Sequence, residues 1–416
     1  MSTSLQQQLL AEIGSWEIID CHEHLPEERH RVEKPVDALT FFGHYTHNDL
    51  ITAGMTRENY DRLFDHSLPL QQRWELVRPY WPRIKFTGYA RAIRIALPHF
   101  YGFDDLTDDT IEPITERMQA NNTPGLYDRV LREACHIRLC LTQVGRIPDA
   151  NRDLLVPILP LANFAHLPDR AALEARATAH GTNCTSIAAL KDLLRAELRD
   201  LRQQGVVGLK MVSNPSPDQP DQSAVNSAFS ALLEDRQHDA ESLQAFLHHE
   251  LLEAAADENL VVAVHCGLIW TNWGDFTATN PLHIVPVLMA HRRTRFDLYH
   301  AGIPWIRETG VMGKTFPNVW LNLCWAHVIS PQMSISALNE WLDLVPHNKL
   351  LGFGGDYGVP IEKVYGHLQL ALQDIATVLA SRIESGWMTE EEALQVAQGW
   401  LWDNPVELYS LGRLLK

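Results

Sequence analysis

Eight short apolar runs dominate this chain, and most are separated by helical patterns. They are Trp16–Cys21, Ile137–Val144, Leu155–Pro160, Val206–Val212, Leu260–Cys266, Phe296–Ala301, Asn318–Cys324 and Lys349–Asp356. Such alternation predicts parallel βαβ units, because parallel neighbours need a crossover that a helix supplies. The near-continuous apolar character of the runs suits strands buried on both faces. Helical spacing is clear before the fourth run, where Leu190, Leu193, Leu194, Leu198 and Leu201 share one face and Gly205 is placed to end the helix. Eight units predict an α/β fold of the closed (β/α)8 TIM-barrel type. No GxGxxG follows the first run, which argues against an open nucleotide-binding sheet.

Two regions exceed the minimal repeat. Residues 1–24 form the lead and first strand, and 25–130 are far too long for a βα loop. Patterns such as Leu70–Val77 and Ile111–Ala120 predict a helical insertion there. The remainder of the barrel is expected over 131–360. Residues 361–416 predict C-terminal helices packing on it, with Leu368–Ile383 and Thr389–Trp402 as the clear stretches. The loop Ser213–Ser223, rich in Pro, Ser, Asp and Gln, follows the fourth run at the expected barrel mouth, where a lid would sit.

The 416 residues carry 35 Lys+Arg against 52 Asp+Glu, a net charge of −17. A chain of that charge without a basic run repels a phosphate backbone, so nucleic acid is excluded as a partner and a small-molecule substrate is expected. The six cysteines form no CxxC pair and mostly lie in apolar runs, as expected of buried thiols in a reducing cytoplasm. The first 16 residues lack a basic flank and an apolar core, so no secretory signal is expected. Thr315–Asn339 carries no charged side chain but is broken by prolines, asparagines and serines, which no membrane span would tolerate together.

The 20 histidines matter by position, not by number. His248, His249, His291 and His347 lie in or near helical stretches and are expected at the surface. Others stand where strands end. The first run leads into His22-Glu23-His24, the fifth ends in His265, the sixth in His300 and the eighth in Asp356, while Lys210 lies near the end of the fourth. In a parallel barrel these ends form one rim, the catalytic face. Side chains at i and i+2 of a strand share a face, so His22 and His24 point together. Imidazoles with a carboxylate across the barrel suit a divalent metal.

Asp20-Cys-His-Glu-His24, Gly208-Leu-Lys210, Val264-His-Cys-Gly267, Tyr299-His-Ala-Gly302 and Gly354-Gly-Asp-Tyr357 resemble the amidohydrolase superfamily in residue type and order. A second resemblance, to uronate isomerases, lies in Gly43-His-Tyr-Thr46, the helical stretch after it and Tyr101-Gly-Phe103. It implies that Tyr45 contacts a sugar acid. It stops after the eighth strand, where Asp356-Tyr-Gly-Val-Pro360 carries no arginine, and Lys210 has no counterpart in those enzymes.

The first resemblance implies one or two divalent ions per chain, zinc or else manganese or iron, held among His22, His24, His265, His300, Lys210 and Asp356. It implies that Asp356 doubles as ligand and proton carrier, and that His300 binds a second ion or polarises a carbonyl. Lys210 is either carbamylated between two ions or an ammonium that binds a carboxylate. Near the rim, Trp270, Asn272, Trp273, Arg307 and Trp325 are candidates to line a substrate pocket. The leading expectation is a hydrolase acting on a C–N or C–O bond of a small, carboxylate-bearing molecule. The rivals are a uronate-type isomerase, a decarboxylase, and a barrel that binds metal or ligand without turnover. The sequence leaves oligomeric state open, a homo-oligomer included.

Overall fold

The computed structural model describes residues 4–212 and 220–415. Its eight strands are β1 (Ile18–Glu23), β2 (Ile137–Gln143), β3 (Leu155–Pro160), β4 (Gly208–Met211), β5 (Val261–Val264), β6 (Arg295–Leu298), β7 (Val319–Asn322) and β8 (Leu350–Leu351). They pair in sequence order, all parallel. The chain beyond β8 closes the ring on β1. Cys21 N–H donates to Phe353 O, Asp356 N–H to His22 O and His24 N–H to Tyr357 O, at 3.1, 2.8 and 3.0 Å. This is the expected (β/α)8 barrel.

Period-two alternation divides its core. Ile19, Leu139, Leu141, Val156, Ile158 and Val261 form an inner cluster, while Ile18, Leu155, Leu209, Val262 and Phe296 join the larger core shared with the helices. Leu408, Tyr409 and Leu411, near the C-terminus, belong to the inner cluster. Pro157 is tolerated in β3 because the β3–β4 ladder begins one residue later, at Ile158 opposite Gly208. Gly205 sits at φ +94 after the helix Ile187–Gln203. Val206 N–H reaches Leu201 O there and Gly205 N–H reaches Arg202 O, the paired bonds of a left-handed helix end.

The helices between β1 and β2 build a hydrophobic cluster of their own around Phe41, Phe42, Trp74, Trp81 and Leu97. One of them, Gly88–Tyr101, packs on the helix Glu362–Glu384 so closely that a Cβ on Gly366 would collide with the Ala92 backbone.

Two expectations change. The eighth strand does not run to Asp356. Its regular part is Leu350–Leu351, because Gly354 packs too tightly against His22 N and the Cys324 side chain for any side chain of its own. His249 and His291 are buried, not at the surface. Burial is tolerable because His249 Nδ1 lies 2.7 Å from His291 Nε2, whose Nδ1 is 2.6 Å from Glu253. The expected lid, Ser213–Ser223, falls largely on 213–219, outside the described residues. Among the described residues no helix is long and apolar enough to cross a membrane.

Candidate metal centre and substrate cavity

A cavity of about 380 Å³ opens at the C-terminal ends of the strands. His22 and His24 enter it from the end of β1, where the β1–β2 register slips between Asp20 and Glu23. Asp356 enters from the irregular chain after β8. One ligand atom from each of the three lies within 4.8 Å of the others. Both Nε2 atoms point at Asp356 Oδ1, at 3.1 Å from His22 and 3.2 Å from His24. His300 Nδ1 stands 3.8 Å from Asp356 Oδ2. Lys210, from β4, places its Nζ 3.5 Å above the Tyr299 ring, buried and, among the described residues, without a hydrogen-bond partner.

Electrostatics put this set in the state a cation requires. Burial holds the His22 imidazole neutral, its pKa lowered to about 3 against the pull of Asp356. Burial alone would push Asp356 up, yet His22 and His24 hold it well below the usual carboxylate range. A neutral imidazole and an ionised carboxylate are the forms that bind metal. His22 Nδ1 is also buried and unpartnered. A divalent cation fits these donors.

His265 and His300 show a proton shortage. His265 Nε2 faces Leu268 O at 3.0 Å, its Nδ1 faces His300 Nε2 at 3.0 Å, and His300 Nδ1 faces Cys324 O at 3.1 Å. Filling three contacts between two carbonyl oxygens needs three protons, and two neutral imidazoles hold two. Burial keeps both neutral, lowering His265 to about 4 and His300 well below its usual value. Two of the four ring nitrogens are therefore unprotonated, and at least one of them has no hydrogen to accept. Burial also lowers Lys210, to about 8.

Beneath the ligands, Asp20 accepts the His22 and Gly355 N–H groups at 3.1 and 3.2 Å. Glu23 accepts Tyr357 N–H at 2.5 Å. Burial pushes Asp20 up to about 7 and Glu23 well above its usual range, the Asp20 carboxylate adding to the rise of Glu23. Several residues at the rim are held in the left-handed region. His44, His300, Trp325 and Asp356 have φ of 62, 63, 62 and 63°. Each departure costs about 1–3 kcal/mol and clusters where surroundings over-determine the backbone, as they do here.

On the substrate side, Tyr45 is buried and stacks on Trp325 with centroids 4.3 Å apart. Trp270 and Gln143 complete the wall. Ten of the residues read from the sequence divide unevenly. His22, His24, Tyr45, Lys210, His265, His300, Trp325 and Asp356 all line this cavity. Trp273 does not: it is fully exposed at φ 65°, and its neighbour Trp270, itself 55% exposed, lines the cavity mouth instead. Arg307 does not either, lying on the helix Ile306–Thr315 and paired with Glu340 at 2.9 Å. Gln143 was missed, although it is a polar residue at the end of an apolar strand, the same signal that marks the ligands. Among the described residues no arginine lines the cavity.

A parallel eight-stranded barrel with a His/Asp cluster at its C-terminal rim defines a class of metal-binding TIM-barrel proteins. Comparison with known proteins narrows that class. The amidohydrolase family model matches residues 161–411. The fold is similar to a uronate isomerase from Thermotoga maritima, with a TM-score of 0.76, 15% identity and coverage of 98% of both chains. It is also similar to a glucuronate isomerase from Caulobacter crescentus, with a TM-score of 0.75, 16% identity and coverage of 98% of this chain and 94% of the other. Among curated proteins, fluG of Emericella nidulans is 29% identical over 164 residues, 39% of this chain and 19% of that protein. The match thus spans less than a fifth of fluG. This chain belongs to the amidohydrolase family.

Proposed function

We propose that the protein is a metal-dependent hydrolase that cleaves a C–N or C–O bond of a small, carboxylate-bearing substrate. The observation that carries this reading is the convergence of His22, His24 and Asp356 in one cavity with the unpaired Lys210 ammonium. The three would hold a zinc ion, or manganese or iron, with His265 and His300 available as further donors. Such an ion, when bound, supplies a Lewis acid that acidifies water and polarises a carbonyl.

The chain's own residues do the rest. Asp356 takes the proton of the attacking water and hands it to the leaving group. Lys210, lowered only to about 8, stays largely protonated near neutrality and meets an anionic oxygen of the substrate. Its seat over the Tyr299 ring favours that ammonium form. His300 polarises the scissile carbonyl. Tyr45 and Trp325 exclude water from one wall. Six buried, unbridged cysteines support a reducing cytoplasm as the compartment.

A second reading, isomerisation of a sugar acid, draws on Tyr45 standing in the cavity. Lys210 and the missing arginine weigh against it. The test loads the purified protein with zinc and follows lactones, amides, uronates and aromatic acids by mass. Gain of one water supports hydrolysis. Loss of carbon dioxide, or an unchanged mass with a new product, sinks it. Metal analysis of the protein as purified should find one or two divalent ions per chain; an active protein without metal refutes the site.

A further inference from the structure

A second cavity of about 300 Å³ adjoins the first, and His24 and Gln143 line both. The two differ in chemistry. The first is walled by Tyr45, Trp270 and Trp325. The second presents Glu27, His30 and Arg146. Glu27 is buried and committed: its carboxylate accepts Asp149 N–H at 2.7 Å and meets His30 Nε2 at 2.9 Å. Arg146 is not. It is 59% exposed, its pair with Asp149 is open to solvent, and its other arm stands 3.5 Å from Glu27. An exposed pair of this kind contributes about 0–1 kcal/mol, so the guanidinium is readily redirected to another carboxylate.

A hydrolase needs space on each side of the bond it cuts. An isomerase or decarboxylase, which keeps its substrate on one carbon skeleton, has no comparable need of a second chamber. We infer that the substrate is an amide joining an aromatic acyl group to an amino acid, the ring lying against Trp270 and Trp325 and the amino-acid carboxylate meeting Arg146. The inference rests on the hydrolase reading above. The scissile amide then lies at His24 and Gln143, where the chambers meet. Water oxygen bonds to the carbonyl carbon as the C–N bond breaks. The electron pair stays on nitrogen, which takes the water's proton through Asp356. The products are an aromatic carboxylic acid and a free amino acid, and no redox partner is needed.

The experiment uses the zinc-loaded full chain with N-benzoyl-L-alanine, benzamide and N-acetyl-L-alanine. The kcat/KM for N-benzoyl-L-alanine should exceed that for benzamide by about 100-fold, because binding of the remote half is used at the reacting centre. Arg146→Gln should raise KM for N-benzoyl-L-alanine about tenfold and leave benzamide unchanged. Trp270→Ala should narrow the benzoyl-over-acetyl preference about tenfold. Gln143→Leu, at the junction where the scissile amide lies, should depress kcat/KM for both benzamide and N-benzoyl-L-alanine. Equal kcat/KM for benzamide and N-benzoyl-L-alanine, or indifference to Arg146→Gln, overturns the inference. Calorimetry separates it from the hydrolase reading. Binding of N-benzoyl-L-alanine that Arg146→Gln weakens, without cleavage, supports the two chambers and sinks hydrolysis. Hydrolysis of other esters or lactones with no binding of N-benzoyl-L-alanine does the reverse.

Discussion

Lys363 offers a quantitative test of how the helical insertion is held over the barrel. The side chain is fully buried, and its Nζ donates to Thr46 Oγ1 at 2.7 Å and Phe41 O at 3.4 Å. Thr46 follows Tyr45, so this lysine fixes the segment that carries the cavity's tyrosine. Burial lowers its pKa from 10.5 to about 7, with Asp49 opposing. The unfolded chain keeps the higher value. Between the two, the unfolded state binds more protons, so this group's contribution to stability is greatest above 10.5 and is lost as pH falls toward 7. Over the span from about pH 9.5 to about pH 6.5 the loss is about 3 kcal/mol. Lys363→Met keeps the bulk and removes the titration, and Thr46 Oγ1 still reaches Phe41 O at 3.3 Å. Urea unfolding of both proteins at the two pH values, reported as their difference, cancels the buried thiols and phenols that also titrate. The variant should gain about 3 kcal/mol on the wild type on going from the alkaline to the acid measurement. A difference that does not move with pH would refute a buried, pKa-lowered lysine at this seam.

Three other changes probe the site and its frame. Asp356→Asn removes the carboxylate between His22 and His24; zinc affinity, followed with a competing chelator, should fall by more than the roughly 10–100-fold seen when only an outer partner is lost, and turnover should vanish. Gly355→Ala drives a Cβ into the Glu23 carboxylate, so zinc should bind roughly 10–100-fold more weakly while circular dichroism stays native. Glu362→Ala strands Arg31, whose guanidinium sits 3.0 Å from that carboxylate with both groups buried, and should lower unfolding free energy by about 3–5 kcal/mol.

The residues of the candidate metal centre were legible because three simple regularities agree. Strand ends of a parallel barrel share a rim, side chains alternate along a strand, and metal needs imidazole and carboxylate together. That placed His22, His24, Lys210, His265, His300 and Asp356 on one face before any coordinates. The same reasoning failed for Trp273 and Arg307, because loops after strands obey no such period. Trp270 lines the cavity while Trp273 in the same loop does not, and Arg307 finds Glu340 on a neighbouring helix. His249 and His291 misled for a related reason: their burial depends on each other and on Glu253, partners 42 and 38 residues apart in the chain.

From the sequence alone came the barrel, the ordered set of rim residues and the place of the helical insertion, since each follows from local periodicity and residue type. The tertiary structure alone decided the rest. The left-handed backbone at His300, Trp325 and Asp356 is one such feature, carried by residue types that do not favour it. So is the proton shortage between His265 and His300, which comes from two carbonyls on different loops. The polar second chamber beside the aromatic one exists only because the loop after β2 folds back beside His24. Periodicity reports which face a residue takes; distance, strain and shared protons belong to pairs of residues that only the closed barrel brings together.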